Sequence, residues 1–72
     1  MEILIFQTDI KSAENVAILE PIFNNHADIL NWSVDLEDID KVLQIEANAG
    51  LTKNTVIELG KAHDFAIEIL AD

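Results

Sequence analysis

Ile29-Leu30-Asn31-Trp32-Ser33-Val34-Asp35-Leu36, then Glu37-Asp38-Ile39-Asp40, then Lys41-Val42-Leu43-Gln44-Ile45-Glu46-Ala47: this stretch decides the fold. Its first part alternates. Leu30, Trp32, Val34 and Leu36 fall on one side and Asn31, Ser33 and Asp35 on the other, the period of two that marks a half-buried strand. The acidic run Glu37 to Asp40 breaks the pattern and reads as a turn. The third part alternates again, with Leu43, Ile45 and Ala47 inward. Two such strands around one polar break make a hairpin.

On the N-terminal side, Ile3-Leu4-Ile5-Phe6 is a continuous apolar run, the pattern of a central strand covered on both faces. Thr8 to Lys11 is a polar break. Ser12 reads as a helix N-cap, with Glu14 in the first turn where an anion suits the helix dipole. Val16, Leu19, Ile22 and Phe23 follow at helical spacing. Pro21 lacks a backbone donor and is expected to kink or shorten that helix. Asn24-Asn25-His26 ends it. On the C-terminal side, Asn48 to Gly50 is a loop and Thr52 caps a second helix bearing Val56, Ile57 and Leu59, with Gly60 as its weak point. Asp64 lies just past its end, at a position that calls for a left-handed backbone. Phe65 to Leu70 is the last strand.

The order β-α-β-β-α-β implies an α+β ferredoxin-like sandwich spanning residues 1–72 as one domain. Its four antiparallel strands run 4-1-3-2, with both helices on one face. That topology brings Thr8 to Ser12, Glu37 to Asp40 and His63-Asp64 to one end, and puts His26 and Asn48 to Leu51 at the other.

Composition narrows the function. The chain has 72 residues, half of them apolar, with 14 acids against 4 lysines and a net charge of −10. A domain this small buries only about 60% of its unfolded surface. Clustered cations are missing, which argues against nucleic acid and against an anionic membrane surface. No apolar run approaches the roughly 20 residues of a membrane span, and Glu2 with no small-residue cleavage site argues against a signal peptide. There is no cysteine, hence no disulfide and no thiolate chemistry, which fits a reducing, cytoplasmic setting. No arginine offers a bidentate clamp. Nothing prefigures an enclosed substrate pocket, so an enzyme is not expected and no cofactor is implied.

The sequence resembles the heavy-metal-associated domains, the copper-chaperone-like modules. Asn15-Val16-Ala17 through Ile22-Phe23 to Ile29, then Trp32-Ser33-Val34-Asp35-Leu36, follows that family's first helix and V-x-V-x-L strand without a gap. Thr52 and Lys61-Ala62-His63-Asp64-Phe65 match its second helix and the Lys-x-x-Gly-Phe/Tyr segment after it, with Asp64 in the place of the usual glycine. The family's metal motif, M-x-C-x-x-C, falls on Ile10, Ser12 and Asn15. Neither Ser12 nor Asn15 is a soft thiolate, the ligand that selects Cu(I). The resemblance therefore implies the fold without the metal site. Ser12 and Asn15 read as capping residues.

The role this implies is a non-catalytic binding or interaction module, a partner or regulator in metal handling. The alternative is a metal-binding protein using carboxylate and imidazole ligands at the converging end, drawn from Asp9, Asp38, Asp40, His63 and Asp64, with Asp35 and Glu37 nearby. Hard cations take such oxygen ligands. The spacing of these acids is not that of a calcium loop, and a solvated, charged hairpin tip is the favoured reading of them. His26 and His63 read as residues at helix ends that meet C-terminal carbonyls. Trp32 reads as core that is partly open at the edge strand. A protein partner with a basic surface, or a second copy adding to strand 2 or strand 4, is the expected kind of ligand.

Overall fold

The computed structural model describes residues 1–70; the last two residues of the expected domain, 71 and 72, lie outside the described residues. The elements are β1 (Glu2–Thr8), α1 (Ala13–Asn24), β2 (Ile29–Val34), β3 (Leu43–Ala47), α2 (Lys53–Lys61) and β4 (Ile67–Ile69). The strands form one antiparallel sheet in the order β2-β3-β1-β4, which read from the other edge is 4-1-3-2. This is the ferredoxin-like α+β arrangement. Among the described residues no helix is long and apolar enough to cross a membrane.

One cluster forms the core. Leu4 and Phe6 of β1, Leu43 and Ile45 of β3, and Ile67 of β4 meet Leu19 and Phe23 of α1 and Val56 of α2. Both helices therefore pack on the same side of the sheet. Register fixes the rest: Phe6 lies opposite Leu43 and Leu4 opposite Ile45, so alternate residues of the central strands enter the core together.

The caps follow the sequence. Ser12 is extended and its hydroxyl accepts from the Asn15 N–H at 3.3 Å. Thr52 caps α2 in the same way through the Thr55 N–H at 3.2 Å. Asp64 adopts a φ of 65°, the left-handed turn expected after α2. Pro21 does not end its helix. α1 continues to Asn24 because Pro21 and Ala17, whose carbonyl loses its donor, both lie on the exposed side.

Four expectations are corrected. Residue Leu30 points away from the core, 53% exposed, whereas Ile29 is buried at 8%. The cause is a β-bulge: Ile29 pairs with Ala47 and Asn31 with the adjacent Glu46, leaving Leu30 as the extra residue, and the bulge shifts the alternation by one. Strand β1 is not covered on both faces, since Ile3 and Ile5 remain 52% and 40% exposed opposite the helix layer. β4 is limited to Ile67–Ile69 because the turn after α2 occupies the chain until Phe65, whose N–H bonds the Gly60 carbonyl at 2.9 Å. Gly60 is not a weak point of α2. It is buried, and a Cβ there would stand 2.5 Å from Ile67 Cδ1, so its lack of a side chain lets β4 approach the helix.

Candidate functional site

The loop after β1 meets the hairpin loop at Asp40 and the connection before β4 at Ala66, rather than at His63-Asp64. The Thr8 N–H bonds the Asp40 carbonyl at 2.9 Å, and the Thr8 hydroxyl donates to the Lys41 carbonyl at 2.6 Å. The Asp9 N–H bonds the Ala66 carbonyl at 3.2 Å, while Asp9 Oδ1 accepts the Ala66 N–H at 2.9 Å. β1 is thereby tied on one side to the hairpin loop and on the other to the segment before β4.

The polar side chains at this end mostly serve the backbone. Asn15 Oδ1 accepts the Lys11 N–H at 3.0 Å, so Ser12 and Asn15 together close the first turn of α1. Ile10, in the methionine position of the resembled motif, is fully buried. Asp35 Oδ1 accepts the Glu37 N–H at 3.1 Å and Asp38 Oδ1 accepts the Asp40 N–H at 2.8 Å, each an Asx turn within the hairpin tip. Lys41 has a φ of 47°, and its Nζ donates to the Leu36 carbonyl at 2.6 Å, bracing the loop from inside.

As a metal site the expected residues do not assemble. Among the described residues no three His, Asp or Glu side chains form a group that could hold a metal ion. Asp38 is committed to its own turn. His63 and Asp64 are exposed on the turn after α2. His26 does not use its ring on helix carbonyls as expected; its Nδ1 accepts the Asp28 N–H at 3.2 Å. That bond pins the loop entering β2.

What the converging end does form is an open cleft of about 290 Å³. Asp9, Asp40 and Glu68 line it, with Gln7 and Ile39 beside them. Ile39 is 94% exposed at the hairpin tip. Glu68 Oε2 accepts from Gln7 Nε2 at 2.8 Å, which fixes that wall across the β1–β4 pair.

Gln7 and Glu68 also belong to the uncovered face of the sheet, so the cleft continues into it. There the pairing sets out rows. Ile3 lies opposite Glu46, and Glu46 opposite Asn31 beside the bulged Leu30. Ile5 lies opposite Gln44, and Gln44 opposite Ser33. Gln7 lies opposite Glu68. Solvated faces of antiparallel sheets ordinarily carry polar residues. Ile3 and Ile5 stand at outward positions of a central strand, and Leu30 joins them through the bulge.

Sequence reasoning missed these three residues as a surface. A signal was available: one-sided helix packing and a continuous Ile3 to Phe6 run together force two isoleucines onto the open side. The Leu30 contribution had no such signal, because nothing in the strand pattern marks the bulge. Trp32 stands where it was expected, partly buried. It meets Phe23 edge-on at 5.1 Å, and its indole N–H donates to Asn24 Oδ1 at 2.8 Å.

No protein-family model, no curated protein and no solved structure matches this chain. The resemblance to the heavy-metal-associated domains rests on the residues that carry it.

Proposed function

We propose that this chain is a non-catalytic interaction module that docks a partner on the open face of its sheet. One observation carries the reading: Ile3 and Ile5, on a central strand, are half exposed where the fold would place polar residues. Exposed aliphatic side chains on a rigid, hydrogen-bonded surface favour association, because covering them removes apolar area from water without ordering the backbone. The converging end supports a scaffold role, since its side chains hold loops in place. The resemblance and the replaced thiolate positions support a partner or regulator beside metal-handling proteins, in a reducing cytosolic setting that suits a chain without cysteine.

A neutral apolar dye tests this. Nile red is added to methyl-labelled protein and followed by fluorescence and by NMR. Saturable shifts at the Ile3, Ile5 and Leu30 methyls, lost in Ile3→Thr with Ile5→Thr, are the expected result. Threonine keeps the β-branched shape of the strand while removing the apolar surface. An absence of dye binding, or shifts confined to core methyls, would refute the proposal.

A further inference from the structure

We infer that the occupant of the open face is a cationic amphipathic helix of another protein, with its aliphatic stripe over Ile3, Ile5 and Leu30 and a lysine or arginine in the cleft beside Glu68. The inference rests on the interaction reading above and names the partner. Charge is the first argument. The ionisable side chains in the pairing rows of the open face are Glu46 and Glu68, both acidic. The four lysines lie outside these rows: Lys11 ahead of α1, Lys41 braced inside the hairpin loop, and Lys53 and Lys61 on α2, with Lys61 lining a separate pocket that Glu68 also borders. Rows whose described side chains include carboxylates and no lysine favour a positive partner over a negative one.

The cleft adds shape. Its wall combines the exposed Ile39 with the carboxylates of Asp9, Asp40 and Glu68. A lysine or arginine has the matching form, an apolar stem ending in a cation. The carboxylates do not gather tightly enough to hold a metal, so an extended cationic side chain suits them better than an ion.

Spacing gives the register. Ile3, Ile5 and Gln7 are successive outward positions, about 6.8 Å apart, so the cleft begins about 14 Å from Ile3. Along a helix that distance is about nine residues. A helix is the element that ordinarily covers the bare side of a sheet. A second copy of this chain fits poorly, because each body carries a net charge of −10 and the apposed faces would bring Glu46 and Glu68 against their own kind.

The probes are two synthetic amphipathic helices of about 18 residues sharing one aliphatic stripe, one with lysine and arginine flanks and one with glutamate flanks. Each is titrated into the full chain by NMR at low and at moderate salt. The cationic helix is expected to shift Ile3, Ile5, Leu30 and the Glu68 amide, and to bind about tenfold more weakly once salt shortens the screening length. Glu68→Lys with Asp40→Lys is expected to weaken it by at least the same factor, with the amide spectrum elsewhere unchanged. Equal binding of both helices, shifts on the helix side of the sheet, or self-association of the chain through this face would overturn the inference. If neither helix binds while Nile red still marks the open face, the cationic partner is refuted and the interaction reading stands. If the dye also fails, both fall.

Discussion

Replacing Gly60 with alanine is expected to destabilise the protein, although the same change in an exposed helix would stabilise it. Alanine is favoured over glycine inside a helix by about 1 kcal/mol. Here the added Cβ would stand 2.5 Å from Ile67 Cδ1, 2.8 Å from Ile67 Cγ1 and 3.3 Å from the Phe65 carbonyl oxygen. Ile67 is 3% exposed and stiff at χ1, so it has little room to turn aside. Moving the helix instead would strain the following turn, in which the Gly60 carbonyl accepts both the His63 and the Phe65 N–H. An extra carbon forced into a packed site costs about 1–3 kcal/mol. Set against the propensity gain, the net loss is about 1 kcal/mol. For a domain this small, with a urea slope near 1 kcal/mol per molar, the unfolding midpoint should fall by about 1 M. The Ile67→Val change, which removes Cδ1, supplies the control. Alone it should cost about 0.5–1.5 kcal/mol, and in the alanine background it should cost clearly less. Urea unfolding followed by the fluorescence of Trp32 reads all four corners of the cycle. A Gly60→Ala midpoint that rises by about 1 M, with additive effects in the double variant, would refute the packing argument.

Ser12→Ala should cost about 1 kcal/mol, because the Asn15 N–H loses its acceptor, and Ser12→Asp should retain most of that stability; urea midpoints decide it. Raising NaCl from about 10 mM to about 150 mM shortens the screening length from about 30 Å to about 8 Å, against a body measuring 29 × 28 × 18 Å. Acid–acid repulsion is then screened, while the ion pair to be lost among the described residues is the exposed Lys61–Glu58 contact at 3.9 Å. The melting temperature should rise by several degrees, and a flat melt would contradict this. Titration with Cu(I), Zn²⁺ or Ca²⁺ under reducing conditions should give only small, unsaturated amide shifts over the acidic loops. Saturation confined to residues 8–12, 37–40 and 63–64 would show that a site forms there after all. Ser12→Cys with Asn15→Cys should create Cu(I) binding, read by competition with a chromogenic chelator, while losing about 1 kcal/mol of capping.

The path of the chain could be read from the sequence where each element carries its own phase. Leu43, Ile45 and Ala47 alternate without interruption, and they are buried as their spacing requires. Ser12, Thr52 and Asp64 declare the helix ends by chemistry that depends on near neighbours alone. The misreadings arose where phase is absent or broken. Ile3 to Phe6 is apolar at every position, so the run marks a strand and leaves open how many of its faces are covered. At Leu30 a single extra residue reverses which side chains turn inward, and the bulge depends on pairing with β3 rather than on any local pattern. Gly60 reads as a helix breaker only until Ile67, distant in sequence, is brought against it.

The converging end and the open face place different demands on the chain. At the end, Thr8, Asp9, Ser12, Asn15, Asp35 and Asp38 accept or donate hydrogen bonds to backbone groups, so their polar atoms are engaged in holding loops. A side chain used in this way loses freedom to rearrange around a ligand, and removing it would leave a loop backbone group without its partner. On the open face, Ile3, Ile5 and Leu30 have no comparable structural task, because the core is complete on the opposite side. Their substitution by polar residues should therefore change association far more than folding, whereas substitution at Ser12 should do the reverse. This separation makes the proposed role testable: loss of binding with an unchanged urea midpoint is the result that a purely structural origin of these aliphatic residues could not produce.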